Sequence, residues 1–585
     1  MSDMASDRHI GRPSRERAKA RAQRGASAPL IAQYRPRGRH RRRRPVLPWV
    51  LIALVVALGA WAGLRFFQGP PERESSEKTV AATPAGSQTE RREKTKAEKQ
   101  VIAARKAVKV SSYLGGTQRR LEGFGPAPKN LNLVWKLRIG GGPTQRKADN
   151  APVIWSGTGW TGQPTVVAEK GKTWLLLGGY DHNLHRINAA TGNIMWESEW
   201  PDVMKGTNTI VANPAPAKKS RRIIVVSGSR RGSDYAVGDE RIAPLRAVSY
   251  SSGKELWRLP VPKSDGYTQD VDSSPLWYKG VLYAPVESGY VYALDPFTTV
   301  EKNGHRTPKI LARSPRLYED ADARAHPDIG GANIAIESSP AAIGDVIYVT
   351  SGAGHVYGLD RRTLQVVWDY KTGSDIDGTP VVTSDDKLLL TLEKQYIDER
   401  GGALLLDPSK PPKESVVWYH PTPTRGFGEW EGGSVGSFTT NEGSNDGSRP
   451  RLGAFNTIDG PVRVVSLDRT TKKRADPPGP GGKAPAPVEV FAESIGGSIS
   501  TPVIVGDYLV TAGYGRRVVL YRFDYGEAEK GDDGALPSPD GRWWTVSVKQ
   551  VDAFTGGAAF ESTPLVYRGR VYIGCRDGYL YCLGM

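Results

Sequence analysis

One unit recurs along this chain, and a recurring unit constrains the fold more than any single motif does. It opens on two small polar residues followed by proline, as at 273–275, 338–340 and 562–564. A β-rich run follows the proline, which suits the first position of a strand because proline cannot donate a ladder hydrogen bond. Glycines such as Gly280, Gly344 and Gly569 then separate this run from the next, as hairpin glycines do. The unit therefore predicts short antiparallel strands.

Two more runs complete the unit. The third run ends in Leu-Asp in several copies, as at Leu294-Asp295 and Leu359-Asp360. A fourth run ends in tryptophan in four copies, at Trp196, Trp257, Trp368 and Trp418. Four antiparallel strands per unit is the content of one β-propeller blade. The predicted fold class is all-β, a propeller of four-stranded blades.

The number of blades follows from the opening prolines. Seven are readable: Pro164, Pro214, Pro275, Pro340, Pro380, Pro502 and Pro564. The gap between Pro380 and Pro502 is long enough for a further, degenerate unit at about 432–493, with its third strand at 462–468. We therefore expect eight blades, with seven as the alternative.

The last unit has no fourth strand, because the sequence given stops at Met585, two residues after Leu583. A matching strand with its tryptophan, Trp135, lies at 132–137, before the first blade. If this strand completes the last blade, the ring closes and no open sheet edge remains. The sequence therefore predicts that the blade formed last in the chain borrows its outer strand from residues 132–137.

The Ser-Ser-Pro openings, the Val-Tyr and Leu-Asp runs and the Thr-Gly-x-x-x-Trp ending resemble the repeat of the PQQ-binding-like β-propeller family, over about residues 130–585. That family includes quinoprotein alcohol dehydrogenases and a non-enzymatic outer-membrane assembly lipoprotein, so the resemblance implies a fold and leaves activity open. We expect a non-catalytic scaffold for protein partners, in envelope assembly or sensing. The alternative is a PQQ-dependent oxidoreductase or a cation-dependent binding propeller.

The resemblance also implies what a quinone site would need. The dehydrogenases hold PQQ with a disulfide between adjacent cysteines, a stacking tryptophan, and Ca²⁺ or a lanthanide bound by Glu, Asn and Asp. This chain has two cysteines, Cys575 and Cys582, and they are not adjacent. Their spacing on a hairpin is too wide for an unstrained bridge, so both are expected to be packing residues. PQQ and Ca²⁺ are the cofactors to test, and we expect neither to be required.

Acidic residues stand just before several blade openings. Asp272, Glu337, Asp377 and Glu561 each precede the polar pair and its proline. Because the first strands of the blades line the central channel, these carboxylates are expected near one end of it, where a ring of oxygens suits a hard cation such as Ca²⁺. The alternative is that they cap turns or pair with nearby Lys and Arg.

An insertion at 420–451 breaks the repeat and carries two aromatic residues, Phe427 and Trp430. Loops on a rigid scaffold often carry function, and exposed aromatic side chains are frequent anchors for a partner. We expect Phe427 and Trp430 to be candidate partner contacts, with a loop of no function as the alternative.

The net charge of +18 is concentrated before the propeller, since residues 1–45 hold 14 Lys and Arg against 3 Asp and Glu. Nucleic acid is therefore disfavoured as a partner. Residues 46–67 are predicted to be a transmembrane helix, because 46–64 lack any charge and Arg41–Arg44 precede them. The alternative is a cleaved signal peptide.

These features predict four segments: a basic disordered cytoplasmic tail at 1–45, the helix at 46–67, a polar stalk or linker at 68–127 and the propeller at 128–585. The predicted location is the cytoplasmic (inner) membrane, crossed once, with the N-terminus in the cytoplasm and the propeller in the periplasm or outside the cell. The expected partners are envelope or membrane proteins, with anionic lipid near the basic tail.

Overall fold

The structure is a computed structural model. It describes residues 95–120, 123–146, 151–232, 235–236, 238–302, 304–426 and 430–585. The predicted tail at 1–45 and the predicted membrane helix at 46–67 lie outside these residues.

The predicted location is contradicted by the helices that the structure describes. None of those helices, all within 95–585, is both long and apolar enough to cross a membrane. The longest, α1 (Lys96–Ala107), has 12 residues and carries charged side chains such as Glu98 and Arg105. At 1.5 Å per residue it spans about 18 Å, against about 30 Å for a bilayer core. The single-pass assignment is corrected on this finding.

Helix α1 is fixed at its start by a capping box. The Thr95 hydroxyl accepts from the Glu98 backbone N–H at 3.2 Å, and the Glu98 carboxylate accepts from the Thr95 N–H at 2.7 Å. These bonds satisfy N–H groups that have no partner within the helix. Four strands follow before the first blade: β1 (Val108–Val110), β2 (Leu133–Arg138), β3 (Gly141–Gln145) and β4 (Pro152–Ser156).

The first three blades each have four antiparallel strands. Blade 1 is β5 (Thr165–Glu169), β6 (Lys172–Gly178), β7 (Asn183–Asn188) and β8 (Ile194–Glu199). Blade 2 is β9 (Thr209–Ala212), β10 (Ile223–Ser227), β11 (Leu245–Ser249) and β12 (Glu255–Leu259), with a short helix α2 (Lys219–Arg222). Blade 3 is β13 (Leu276–Tyr278), β14 (Val281–Val286), β15 (Tyr290–Lys302) and β16 (His305–Arg313).

An insertion separates blades 3 and 4. It contains α3 (Asp320–Ala325) and the small hairpin of β17 (Pro327–Asp328) and β18 (Gly331–Ala332). Blade 4 is β19 (Ala341–Ile343), β20 (Val346–Thr350), β21 (His355–Asp360) and β22 (Val366–Lys371).

The other blades continue the pattern. Blade 5 is β23 (Val381–Val382), β24 (Leu388–Leu392), β25 (Gly402–Leu406) and β26 (Val416–Pro421), with a 3-10 turn at Pro412–Glu414. Blade 6 is β27 (Thr439–Thr440), β28 (Leu452–Asn456), β29 (Pro461–Ala475) and β30 (Ala484–Ser494). Blade 7 is β31 (Val503–Val505), β32 (Tyr508–Ala512), β33 (Arg517–Ala528) and β35 (Trp543–Thr555), with β34 (Leu536–Pro537) added at its edge. Blade 8 is β36 (Leu565–Tyr567), β37 (Arg570–Gly574), β38 (Tyr579–Gly584) and β2.

The count of eight blades is thereby confirmed, and the degenerate unit at 432–493 is blade 6. The expected opening of blade 2 at Pro214 is wrong, because β9 ends at Ala212, before that proline. The residue directly before β9 is Asn208, at the position that proline holds before the first strands of most other blades, so the repeat is weaker there.

Ring closure by the early strand is also confirmed. Strand β2 pairs antiparallel with β38, with Trp135 opposite Cys582 and Leu137 opposite Leu580. The two cysteines are free and buried, Cys582 within β38 and Cys575 just after β37, as expected for packing residues.

The blade-ending tryptophans have a second role beyond filling the core. Each indole N–H donates to a backbone carbonyl of the next blade, which places a directional bond in an otherwise apolar interface. The pairs are Trp135 with Ala189 (3.2 Å), Trp196 with Tyr250 (3.0 Å), Trp257 with Pro296 (2.8 Å), Trp368 with Lys410 (2.9 Å) and Trp418 with Leu467 (3.3 Å). The bond from Trp135 joins blade 8 to blade 1, so the borrowed strand reproduces the contact that the other blades make.

Candidate functional site: the central channel

The central channel is filled over part of its length by residues 108–120, which we call the channel plug. Strand β1 of the plug pairs with β5, and the Ser111 carbonyl accepts from the Ile210 N–H at 2.6 Å. The Thr117 and Gln118 carbonyls accept from first-strand residues of blades 4 and 5, at 2.9 Å each. The plug was assigned to the polar linker from sequence, and the structure instead packs it against the first strands of the ring.

Tyr113 and Arg119 anchor the plug, and both are fully buried. The Tyr113 hydroxyl lies 2.7 Å from the Thr501 hydroxyl of blade 7. The Arg119 guanidinium donates to the carbonyls of Pro340 (2.7 Å) and Ser274 (3.0 Å). It also donates within the plug, to the Tyr113 carbonyl at 2.6 Å and the Ser112 hydroxyl at 2.8 Å. Burial lowers the pKa of Arg119 to about 9, because the charged form is held away from water among neutral acceptors.

The predicted carboxylates lie at one end of this plugged channel. Asp272 is two residues before Ser274, and Glu337 is three residues before Pro340, both of which contact Arg119. Consecutive Cα atoms are about 3.8 Å apart, so each acid lies within about 12 Å of the residue that Arg119 contacts. We call this end the acidic mouth, formed by Asp272, Glu287, Glu337, Asp375, Asp377 and Glu393.

Two blades contribute to the first acidic group. Asp272 and Glu337 come from the opening loops of blades 3 and 4, and Glu287 follows strand β14. One carboxylate oxygen from each lies within 4.8 Å of the other two. The Lys205 ammonium, from the opening loop of blade 2, contacts the Asp272 carboxylate. Tyr267 donates its hydroxyl to Glu337 at 3.1 Å.

Burial and mutual repulsion set the electrostatics of this group. Burial raises the pKa of Asp272 to about 6, with Lys205 opposing the shift and Glu337 adding to it. Burial, followed by the charges of Asp272 and Glu337, raises the pKa of Glu287 well above its ordinary value. Burial alone would lower the pKa of Lys205, but the surrounding carboxylates outweigh it and the pKa is well above the ordinary value. The lysine is therefore held as a cation among acids that resist ionisation.

Asp377 belongs to a second group. It lies with Asp375 and Glu393, again with one oxygen from each within 4.8 Å of the others. Asn333 donates to Asp375 at 2.8 Å. All three carboxylates are buried. The acids at the blade 4 and blade 5 openings are thus divided between two groups.

Glu561 is buried but is not part of either group. It accepts from the Tyr514 hydroxyl at 3.0 Å, and its other oxygen lies 3.7 Å from Arg576. The Arg576 guanidinium lies 4.8 Å from the centre of the Tyr180 ring. The same repeat position therefore holds a paired acid in blade 8 and grouped acids in blades 3 to 5.

The insertion residues predicted to bind a partner are placed as follows. Phe427 lies outside the described residues. Trp430 is half-buried and packs against Trp160, Val435 and Ile499, with its ring 6.4 Å from that of Tyr514. Much of its surface is thus already covered by the ring, and its role in binding a partner stays a prediction.

Glu287, Glu393 and Lys205 were not predicted. Glu287 stands two residues before Gly289, which has a positive φ in the turn after the second strand. The equivalent positions in other blades hold Tyr180, Tyr514 and Arg576, two residues before His182, Arg516 and Gly578, which also have positive φ. Aligning the blades on this turn would have shown a ring of large polar side chains facing the same mouth.

The residues present can be compared with the cofactors that the fold implies. The group of Asp272, Glu287 and Glu337 offers hard oxygen ligands to a cation, and the buried Glu287 Oε1 has no hydrogen-bond partner among the described residues. The residues do not fit the quinone cage. Cys575 and Cys582 are separate buried thiols of blade 8, and the acids of the mouth would repel the carboxylates of PQQ.

One comparison matches part of the chain to a known protein family. Residues 132–309 match the family model described as outer membrane protein assembly factor BamB. Among curated protein sequences, none matches the chain.

Similar solved structures include BamB from Moraxella catarrhalis, at 14% identity and a TM-score of 0.42, covering 78% of this chain and 98% of that one. A europium-containing methanol dehydrogenase is similar at 11% identity and a TM-score of 0.48, covering 83% and 100%. Quinohemoprotein alcohol dehydrogenase from Comamonas testosteroni is similar at 14% identity and a TM-score of 0.43, covering 84% of each chain. With the matched family model and eight closed blades built on the recurring unit, the chain is a PQQ-repeat β-propeller.

Proposed function

We propose that this propeller is a non-catalytic scaffold that binds protein partners. The observation that supports it is the channel plug, since the chain fills with its own Tyr113 and Arg119 a central space that could otherwise hold a ligand. Recognition then falls to the loops and outer strands, where exposed apolar side chains such as Met195 and Val367 are available. The matched model is described as an assembly factor, which supports envelope proteins as the partner class.

The test is complex formation by the full chain. We expect affinity capture followed by crosslinking to give a stoichiometric protein complex, with crosslinks on loops and outer strands. The same purified chain, mixed with PQQ and Ca²⁺, is expected to keep its absorption spectrum and to reduce no dye. Stoichiometric quinone uptake with dye reduction would overturn the scaffold.

A second candidate function is cation-dependent binding at the acidic mouth. It is favoured by Glu287, whose buried Oε1 has no hydrogen-bond partner and lies beside the carboxylates of Asp272 and Glu337. Two of these acids have raised pKa values, so a divalent ion that replaced their protons would relieve the repulsion between them.

Calorimetric titration of the chelator-treated chain with Ca²⁺ and with Tb³⁺ tests this candidate. We expect one site, with proton release that grows as the pH is lowered towards 6, and at least tenfold weaker binding in Glu287→Gln. Glu561→Gln is the control, because Glu561 has the same blade-opening position but pairs with Arg576. Absence of binding to the wild-type chain, or equal loss in both variants, would contradict a cation site at the mouth.

A further inference from the structure

The third and fourth strands of blade 6 extend past the blade as a ribbon, formed by the distal parts of β29 and β30. Its end carries four exposed cationic side chains: Lys472, Lys473, Arg474 and Lys483. A register irregularity between Thr470 and Arg474 contains the two lysines, so the strand is locally bulged where the charge is densest.

The ribbon end is held against the ring. The Tyr370 hydroxyl of blade 4 donates to the Pro478 carbonyl at 3.0 Å. A Cβ on Gly479 would come within 2.7 Å of the Lys371 carbonyl, so the turn approaches blade 4 more closely than another residue would allow. Ala475 and Ala484 pack into the same apolar cluster as Tyr370. The cations are thus presented on a fixed surface.

A fifth cation joins from blade 5. The Lys413 carbonyl lies 3.2 Å from where a Cβ of Gly481 would be, which brings the 3-10 turn of blade 5 against the ribbon end. Within the ribbon, the Arg474 guanidinium contacts the Lys483 carbonyl. We call these five residues the basic tip: Lys413, Lys472, Lys473, Arg474 and Lys483.

Little in the ring neutralises the basic tip. The carboxylate of Asp476 lies 4.0 Å from the ammonium of Lys483. Glu414, which follows Lys413 in the sequence, is exposed. Among the described residues, no ion pair involves Lys413, Lys472, Lys473 or Arg474. By contrast, Arg451 on the same blade pairs with Asp385, Glu442 and Asp468. Unpaired like charges held together repel one another and attract an anionic partner.

We propose that the basic tip is a docking surface for an acidic segment of a protein partner. This inference rests on the proposed scaffold function and names the chemistry of its partner. A protein segment is favoured over a membrane because the turn at 476–482 is Asp-Pro-Pro-Gly-Pro-Gly-Gly, with Pro477 and Pro478 buried against the ring. The turn therefore presents no aromatic or aliphatic side chain that could enter the acyl layer.

The probe is a fluorescein-labelled deca-glutamate peptide, followed by fluorescence anisotropy with the full chain in low and moderate salt. We expect saturable binding that weakens at least fivefold when NaCl rises from 50 to 200 mM, as screened ion pairs require. The double variant Lys472→Glu/Lys473→Glu is expected to weaken binding at least tenfold. The matched control is Lys170→Glu/Lys172→Glu, which makes the same change in net charge at exposed lysines of blade 1.

Equal weakening by both double variants would overturn the tip, because it would show attraction by net charge alone. Two further ligands are tested: vesicles of phosphatidylcholine and phosphatidylglycerol, by sedimentation, and a DNA duplex. The proposal would also be overturned if Lys472→Glu/Lys473→Glu abolished binding of the chain to either ligand but left its affinity for the peptide unchanged. Complex formation by the wild-type chain tests the scaffold function, whereas the difference in peptide affinity between the two double variants tests the basic tip. Failure of one proposal can therefore be distinguished from failure of the other.

Discussion

The plug and the acidic mouth occupy the same channel, and the same first strands surround both. In the plug region, Tyr113 and Arg119 meet hydroxyl and carbonyl groups at hydrogen-bond distances. At the mouth, Asp272, Glu287 and Glu337 lie within reach of one another with Lys205 as their neighbouring cation. One region is polar and satisfied, and the other holds like charges close together.

The difference shows what the two regions contribute. Hydrogen bonds between fixed neutral groups and one guanidinium stabilise the ring, because each buried group finds a partner. Carboxylates that are buried beside one another cost free energy when they ionise. Substitutions in the plug should therefore destabilise at every pH, whereas those at the mouth should have effects whose size or sign depends on pH.

The largest effect is expected from Arg119→Met. The methionine fills space but donates nothing, so the carbonyls of Pro340 and Ser274 lose a buried partner. We expect a loss of about 3–5 kcal/mol in the free energy of unfolding, measured by denaturant titration, with little change between pH 5 and 8. Arg120→Met is the neighbouring control, because Arg120 is partly exposed and its pair with Glu442 is 3.6 Å apart. If both variants lost a similar free energy of unfolding, Arg119 would not be the residue that holds the plug in the channel.

Lys205→Met should come next. Because the folded-state pKa of Lys205 is raised, its contribution is fully present below its unfolded pKa of about 10.4 and is lost only above the folded value. We expect a loss of about 2–3 kcal/mol at pH 8, above the pKa of about 6 of its partner Asp272, and a smaller loss at pH 4, where Asp272 is protonated and no longer pairs with the cation. Thermal unfolding of the variant and the wild type at both pH values, in the presence of a chelator, measures this loss. A loss that is equal at pH 4 and pH 8 would contradict the assignment of Lys205 to the acidic group.

Tyr113→Phe is expected to lower the free energy of unfolding by less than the substitution of either Arg119 or Lys205. It removes only the hydroxyl that meets Thr501 at 2.7 Å, and it leaves the ring packing of the aromatic side chain in place. We expect about 1–2 kcal/mol, independent of pH, from denaturant titration. A neutral outcome would mean that the channel hydroxyls rearrange to replace the lost bond.

Glu287→Gln is expected to have the smallest effect and the opposite sign. The raised pKa of Glu287 means that its ionisation costs stability, and the cost appears as pH rises above its unfolded value. The variant should match the wild type at pH 4 and exceed it by on the order of 1 kcal/mol at pH 8, in chelator. Destabilisation at pH 8 would show that the carboxylate of Glu287 is needed as an acceptor.

The blades were predictable because their sequence repeats a packing solution. The tryptophan at the end of the fourth strand recurs because it must fill the same interface and meet the next blade, as Trp196 does with Tyr250. The borrowed strand β2 was predictable for the same reason, since Trp135 occupies the position of the blade-ending tryptophan. The carboxylates Asp272, Glu337, Asp377 and Glu561 were placed at blade openings, but their grouping depends on neighbours that precede or follow the openings.

The plug was not predictable in this way. Its residues follow no repeat, and a segment with Arg119, Arg120 and Gln118 resembles a solvated linker in composition. What fixes it is a set of bonds to strands hundreds of residues away, such as that from Tyr113 to Thr501. Composition does not encode such contacts, whereas the blades carry their own pattern.

The borrowed strand and the plug also set an order of events during synthesis. Strand β2 and the plug leave the ribosome first, but β38 and the strands that surround the plug are made several hundred residues later. At translation rates of about 5–20 residues per second, these segments wait roughly tens of seconds without their partners. The apolar residues of β2 that pack against the core in the finished ring, such as Trp135 and Leu137, are then available to whatever binds nascent chains. Strand β2 can complete its contacts only after β38 has been made.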